Sequence, residues 1–294
     1  MNTISRGAPL LRFLRFPLVW LAIGVITVGA LSTFVGAGTI PTILAVVTTL
    51  AAYGLVMRFV ARRPMPELAL RHALRDALIG AAIGAGFLAV SVGIITLLGG
   101  YRFTFDPTAT VRALPGILAI LVGGAVTEEL LFRGLALQAI EKLGGSWIAL
   151  GATAVLFGLI HAANPAATLW SSIAIAVEAG GLLGAAFLWR RSLWLVFALH
   201  ATWNGLEQAL GIPVSGHADP GVLIATVQGP AILTGGDFGL EASLVPMLVS
   251  LAITALLLVA AHRRGSLVPR TAARSHAMNE QPAASHPLSR QRAR

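Results

Sequence analysis

Apolar residues fall along this chain in eight blocks, each about the 20 residues a helix needs to cross a bilayer. They run approximately over Pro17–Val35, Ile40–Val60, Ala77–Leu98, Leu114–Glu141, Ser146–Ala162, Thr168–Trp189, Leu193–Leu210 and Leu244–Ala261. The pattern predicts an all-α protein, a polytopic transmembrane helix bundle of about eight spans. The first block is too long for the apolar core of a cleavable signal peptide, and no convincing small-residue cleavage site follows it. Four segments result: N-terminal spans and loops (1–110), a central unit (111–212), a loop with the last span (213–264), and a basic Ala/Arg/Ser/Pro-rich tail (265–294) expected to be disordered.

The basic residues set an orientation. Arg6, Arg12 and Arg15 precede the first block, and Arg58, at the end of the second, is followed by Arg62, Arg63, Arg71 and Arg75 before the third. Lys142, Arg190, Arg191, Arg263 and Arg264 follow even-numbered blocks. All lie on one side if both termini are cytoplasmic, as the bias of cytoplasmic loops towards Arg and Lys requires. The other side carries few cations, Arg102 and Arg112 among them, and a Gly/Pro-containing loop from Gly211 to Ser243. A multi-pass protein of the plasma or inner membrane is expected.

Composition agrees. The chain is 56% hydrophobic and 11% charged, with mean hydropathy +0.81, and a soluble domain carries about twice that charge. The net charge of +9 reflects juxtamembrane and tail arginines that favour anionic lipid. No folded basic face with interleaved aromatics appears, so nucleic acid is excluded as a partner. Cysteine is absent, which removes disulfides and thiolate metal sites.

Against this background Thr127-Glu128-Glu129-Leu130-Leu131-Phe132-Arg133 stands out. Charges inside an apolar span are costly and mark function by default. Glu129 and Arg133 are i,i+4 with the acid first, the better order for an ion pair. Glu128 lies about 100° around the helix and is the less neutralised acid. Two histidines fall inside blocks, His161 and His200, and Asn204 shares a face with His200 at i,i+4. A turn at Gly144-Gly145 puts Glu128 and His161 at similar depth on antiparallel neighbours. Two acids, an Arg, two His and an Asn on three spans form a polar layer for which packing alone is a poor explanation. The ion pair by itself has a structural reading, a staple. Glu207, i,i+7 from His200, extends that face; Glu178 has no partner evident in the sequence. Trp20, Trp170, Trp189 and Trp194 are expected as interfacial anchors. Gly80, Gly84 and Gly151 are expected to mark close helix packing.

Glu128-Glu129-x-x-x-Arg133, Phe157-x-x-x-His161 and His200-x-x-x-Asn204, in this order on apolar spans, resemble the three motifs of the CPBP family of intramembrane proteases. That family includes type II CAAX prenyl endopeptidases and bacteriocin-processing and self-immunity (Abi) proteins. The resemblance covers about Pro115 to Gly211.

The resemblance implies an intramembrane endopeptidase. Glu128 would be general base, with His161 polarising the attacking water. His200 and Asn204 would donate to the oxyanion, and Glu129 and Arg133 would hold the helix face, supported by Phe157. Members are described both as metalloproteases and as metal-independent glutamate proteases. Glu128, His161 and His200 would be the ligands of a zinc ion, yet the His-Glu-x-x-His element of zincins is missing. Metal-independent chemistry is favoured and zinc stays open. The implied substrate is a membrane peptide or lipidated protein in the bilayer. The alternative is a non-catalytic immunity or binding protein, or a proton-coupled transporter using the same layer. No second Glu-Glu-x-x-x-Arg element supports a transporter repeat, and no motif residue is missing, as it would be in a silent relative.

Overall fold

A computed structural model describes residues 13–33, 39–105, 107–119 and 123–271. The apolar blocks are helices: α1 Pro17–Thr33, α2 Thr39–Leu55, α3 Ala73–Leu97, α4 Pro107–Ala119, α5 Ala125–Glu129, α6 Leu137–Gly144, α7 Ser146–His161, α8 Leu169–Ile175, α9 Leu182–Arg190, α10 Leu193–Ala209, a short α11 Ala231–Thr234, and α12 Leu244–Arg263. Wider π-helical turns extend α2 (Val56–Val60) and join α5 to α6 (Leu130–Ala136) and α8 to α9 (Ala176–Gly181). Such turns are rare and concentrate at functional sites.

The result is an all-α membrane bundle. Among the described residues four helices are long and apolar enough to cross a bilayer: 40–60, 70–97, 169–190 and 244–263, with shorter apolar helices over 17–31 and 146–161. Large apolar side chains such as Ile26, Leu44, Leu78, Leu159 and Leu256 face outward, the surface a bilayer covers.

The tightest pairing is α3 against α10, and glycine makes it possible. A Cβ on Gly80 would sit 2.1 Å from Leu195 O, and one on Gly84 would sit 2.5 Å from Leu199 O. The two backbones touch there, which fixes the helix carrying His200. Phe87 and Trp203 lock the next turn edge to face, with centroids 4.7 Å apart. Gly151 differs from its expectation: nothing lies within 4 Å of a Cβ there. The α6–α7 hairpin turns at Gly145, whose φ of 82° is strained for other residues.

The arginine-rich end is tied by ion pairs. Arg63 forks onto Glu67, which also accepts from the Tyr53 hydroxyl at 2.6 Å. Arg190 meets Asp76 at 2.5 Å, and Arg191 grips Glu141 through both amines. These arginines therefore join helices.

Three expectations are corrected. Trp20 is fully buried in the core instead of anchoring an interface, because α1 packs against α6 and the neighbouring π turn. The tail begins later than 265: Val268 exchanges hydrogen bonds with Ser146, and Ser266 Oγ donates to Leu188 O at 2.7 Å. Its residues beyond 271, like Arg6 and Arg12, lie outside the described residues. The segment from Gly211 to Ser243 is more than a loop. Strand β2 (Leu223–Val227) pairs antiparallel with β1 (Tyr101–Phe105), Tyr101 opposite Val227. The Tyr101 hydroxyl then donates to Thr234 O. This small sheet caps the end of the bundle opposite the arginines.

Candidate active site

Glu129 sits on the last turn of α5 with no exposed surface. Its Oε1 accepts from Arg133 Nη1 at 2.9 Å. The other amine of Arg133 donates to Ala179 O at 2.8 Å and Gly180 O at 3.3 Å. Those carbonyls lie in the π turn between α8 and α9 and point at the cation. The guanidinium also lies 4.9 Å from the Phe157 ring centroid, and that ring packs edge to face on Phe132. A buried arginine thus gains a carboxylate, two carbonyls and an aromatic face, the kind of compensation a desolvated charge needs.

The pair is not isolated. His200 Nδ1 lies 2.9 Å from the same Glu129 Oε1. The sequence spacing links Glu129 to Arg133 alone; the third member arrives from α10, 71 residues away, and spacing along one helix cannot show it. His161 is held differently, its Nδ1 2.7 Å from Phe157 O one turn back. A carbonyl only accepts, so Nδ1–H donates and Nε2 is left for the cavity. Phe157 stacks on His161 at 4.6 Å and approaches His200 at 6.3 Å, so one ring spaces both imidazoles.

A cavity of about 360 Å³ lies here, and Glu128, His161, His200 and Asn204 all line it. Glu128 Oε2 and Asn204 Oδ1 are shielded from solvent without a hydrogen-bond partner among the described residues. Buried acceptors in that condition are uncommon and need a reason. As for zinc, the described residues contain no group of three His, Cys, Asp or Glu side chains arranged to hold a metal ion. Glu128, His161 and His200 share the cavity without forming a ligand set.

Other wall residues come from segments the sequence marks only as turn and loop. Asn164 follows α7, and Ser215, His217, Asp219 and Glu241 come from the capping segment. Asn164 Nδ2 donates to Ser215 O at 2.9 Å, and Ser215 donates to Glu241 Oε2 from its backbone N at 2.6 Å and its hydroxyl at 2.7 Å. Burial pushes the Glu241 carboxyl above the usual carboxylate range, while the Ser215 donors and the His161 imidazole pull it back. The only sequence signal for these positions is an acid in a loop punctuated by Gly211, Gly216, Gly235 and Gly239, all at positive φ. Glu207 does not line the cavity. Its Oε2 accepts from Trp203 Nε1 at 3.0 Å and its Oε1 from Leu240 N at 3.1 Å, fastening the cap to α10. Glu178 is fully buried behind the site, and neither oxygen has a hydrogen-bond partner among the described residues.

No curated protein and no solved structure matches the chain. The family model described as type II CAAX prenyl endopeptidase Rce1-like matches residues 110–206, a stretch that holds Glu128, Glu129, Arg133, His161, His200 and Asn204. That segment is a CPBP-family intramembrane-protease domain.

Proposed function

We propose that the protein is an intramembrane endopeptidase in which Glu128 activates the attacking water. The observation that carries this reading is the unpartnered Glu128 oxygen on a cavity it shares with His161, His200 and Asn204. A water between the Glu128 carboxylate and His161 Nε2 gives its proton to Glu128 as its oxygen bonds to the scissile carbonyl carbon. The carbonyl oxygen becomes an oxyanion. Asn204 Nδ2 donates to it, and His200 does so through Nε2. With Nδ1–H directed at Glu129, His200 donates from Nε2 only as the doubly protonated ring, and the Glu129 carboxylate balances that charge. Collapse restores the carbonyl, breaks the C–N bond, and the proton on Glu128 passes to the leaving nitrogen.

The substrate is a membrane-associated peptide, prenylated or leader-like. It enters between helices or from the capped end, and the protein lies in the plasma or inner membrane with both termini cytoplasmic. Comparing membrane peptides from cells carrying the wild type or Glu128→Ala tests this. One or more peptides should accumulate uncleaved with the variant, and identical profiles would overturn the reading.

A further inference from the structure

Four acids among the described residues of this protein are paired with arginine. At the arginine-rich end Glu67, Asp76 and Glu141 each meet an arginine, and inside the bundle Glu129 meets Arg133. Glu128, Asp219 and Glu241 make no ion pair among the described residues, and all three line the cavity. No lysine or arginine lines it among the described residues. Glu241 is 2% exposed and braced by two Ser215 donors, so it is a fixed wall group. Glu128 adds a solvent-shielded oxygen without a donor. A partly open cavity with three carboxylates outside any ion pair raises the local concentration of positive charge.

We infer that the cavity selects a peptide carrying a cationic nitrogen beside the scissile bond, received by Asp219 and Glu241 as specificity residues. A free α-carboxylate in the same place meets Asp219 and Glu241 and finds no lysine or arginine among the described lining residues. The inference rests on the protease reading for the word scissile, but the charge selection stands on the wall residues. Asp219 and Glu241 lie outside the matched stretch 110–206, so this selectivity belongs to this chain's cap. The nitrogen has two sources, a Lys or Arg side chain or a free amino terminus.

The probes are fluorescent Ala/Leu decapeptides, amidated at the C-terminus, with one variable residue placed at successive positions. One arm is acetylated and carries Lys, norleucine or Glu; a second has a free α-amine and no Lys. Affinity is read by anisotropy with the Glu128→Gln protein in phosphatidylcholine nanodiscs, and turnover of the same peptides by mass spectrometry with wild type. The best-placed Lys peptide should bind about tenfold tighter than its norleucine isostere, the scale of one charge-assisted hydrogen bond, and the Glu peptide weakest. A gain confined to the free-amine arm assigns the source as an amino terminus. Asp219→Asn and Glu241→Gln, made in the Glu128→Gln background, should each shrink the Lys preference while leaving norleucine affinity in place. Glu241→Gln keeps an oxygen for Ser215, and exposed Asp219 provides a variant free of folding effects. Equal binding of Lys, norleucine and Glu peptides in both arms, or binding of none, overturns the inference. Equal cleavage of Lys, norleucine and Glu peptides also defeats the selection while the protease reading survives. Selective binding without any wild-type cleavage defeats the protease reading and leaves the cation site standing.

Discussion

His200 Nδ1 lies 2.9 Å from Glu129 Oε1, the oxygen that also accepts Arg133. Of the two adjacent glutamates on this helix turn, only Glu129 is ion-paired among the described residues. Glu129 spends Oε1 on an arginine and a histidine; both acids keep a shielded Oε2 without a donor among the described residues, and only Glu128 lines the cavity. Substitutions at the two should separate chemistry from stability. Glu128→Gln should abolish proteolysis with little change in thermal unfolding in detergent. Glu129→Gln should lose about 3–5 kcal/mol, the cost of leaving a buried charge without its partner. A Glu128→Gln protein with wild-type turnover would end its assignment as base.

The same relationship makes Glu129 a positioning residue for His200. If Nε2 donates to the oxyanion, Asn204→Ala and His200→Ala should each lower kcat by about a hundredfold or more while KM changes little, as for loss of an oxyanion donor. A purely structural role would instead lower the yield of folded protein without splitting kcat from KM.

How much of this was legible in the sequence follows from what each feature depends on. The spans were legible because a bilayer sets one length and one polarity for every helix. Glu129–Arg133 was legible because both residues lie on one helix face. The Glu129–His200 contact was not, since it depends on how α10 crosses α5, and that crossing is set by Gly80 and Gly84 on a third helix. The cap was least legible. Its β1–β2 pairing joins residues more than 100 positions apart, and no periodicity announces a five-residue strand. Trp20 shows the converse: a tryptophan near a span end suggests an interface, yet packing buries it.

Gly80 gives a direct test of that crossing. Gly80→Ala places a methyl 2.1 Å from the Leu195 carbonyl oxygen, which must move with its helix. A loss of about 1–3 kcal/mol is expected for such overpacking, with a fall in turnover as His200 and Asn204 shift. Gly151→Ala, which meets nothing within 4 Å, should stay within about 1 kcal/mol of wild type or gain slightly from helix propensity. Equal behaviour of the two in thermal unfolding and peptide cleavage would remove the glycine contact as the element that sets α10.

Cation selection should depend on pH with a definite sign. Burial holds the Glu241 carboxyl above the usual carboxylate range, so in the empty cavity its charged form appears at higher pH than for an exposed glutamate. A cation pairs with the charged form. Lys-peptide affinity should therefore rise as pH increases from 5 to 8, with binding depressed at the acid end. Glu178, Glu207, His161 and His200 are the charged groups that act on Glu241 from the helices behind it. Anisotropy titrations with the Lys and norleucine peptides decide it: the slope should belong to Lys and flatten in Glu241→Gln. Affinity that falls with pH would contradict the role of Glu241.

The cavity and the arginines occupy opposite ends of the bundle, and this yields a prediction of sidedness. Arg63, Arg190 and Arg191 gather at one end with exposed Lys142, whereas Asn164, Ser215 and Asp219 line the cavity at the other. Topology set by basic loops puts the first end in the cytoplasm, so the cavity is expected to face the outside. The chain has no cysteine, which makes single-cysteine labelling direct. Ala163, exposed in the turn after α7, and Lys142, exposed on α6, report the two ends. A membrane-impermeant maleimide added to intact cells should label Ala163→Cys at once and Lys142→Cys only after permeabilisation. The reverse result would invert the protein in the membrane. The acidic cavity would then face the cytosol, and the peptides it receives would have to come from cytosolic proteins instead of exported ones.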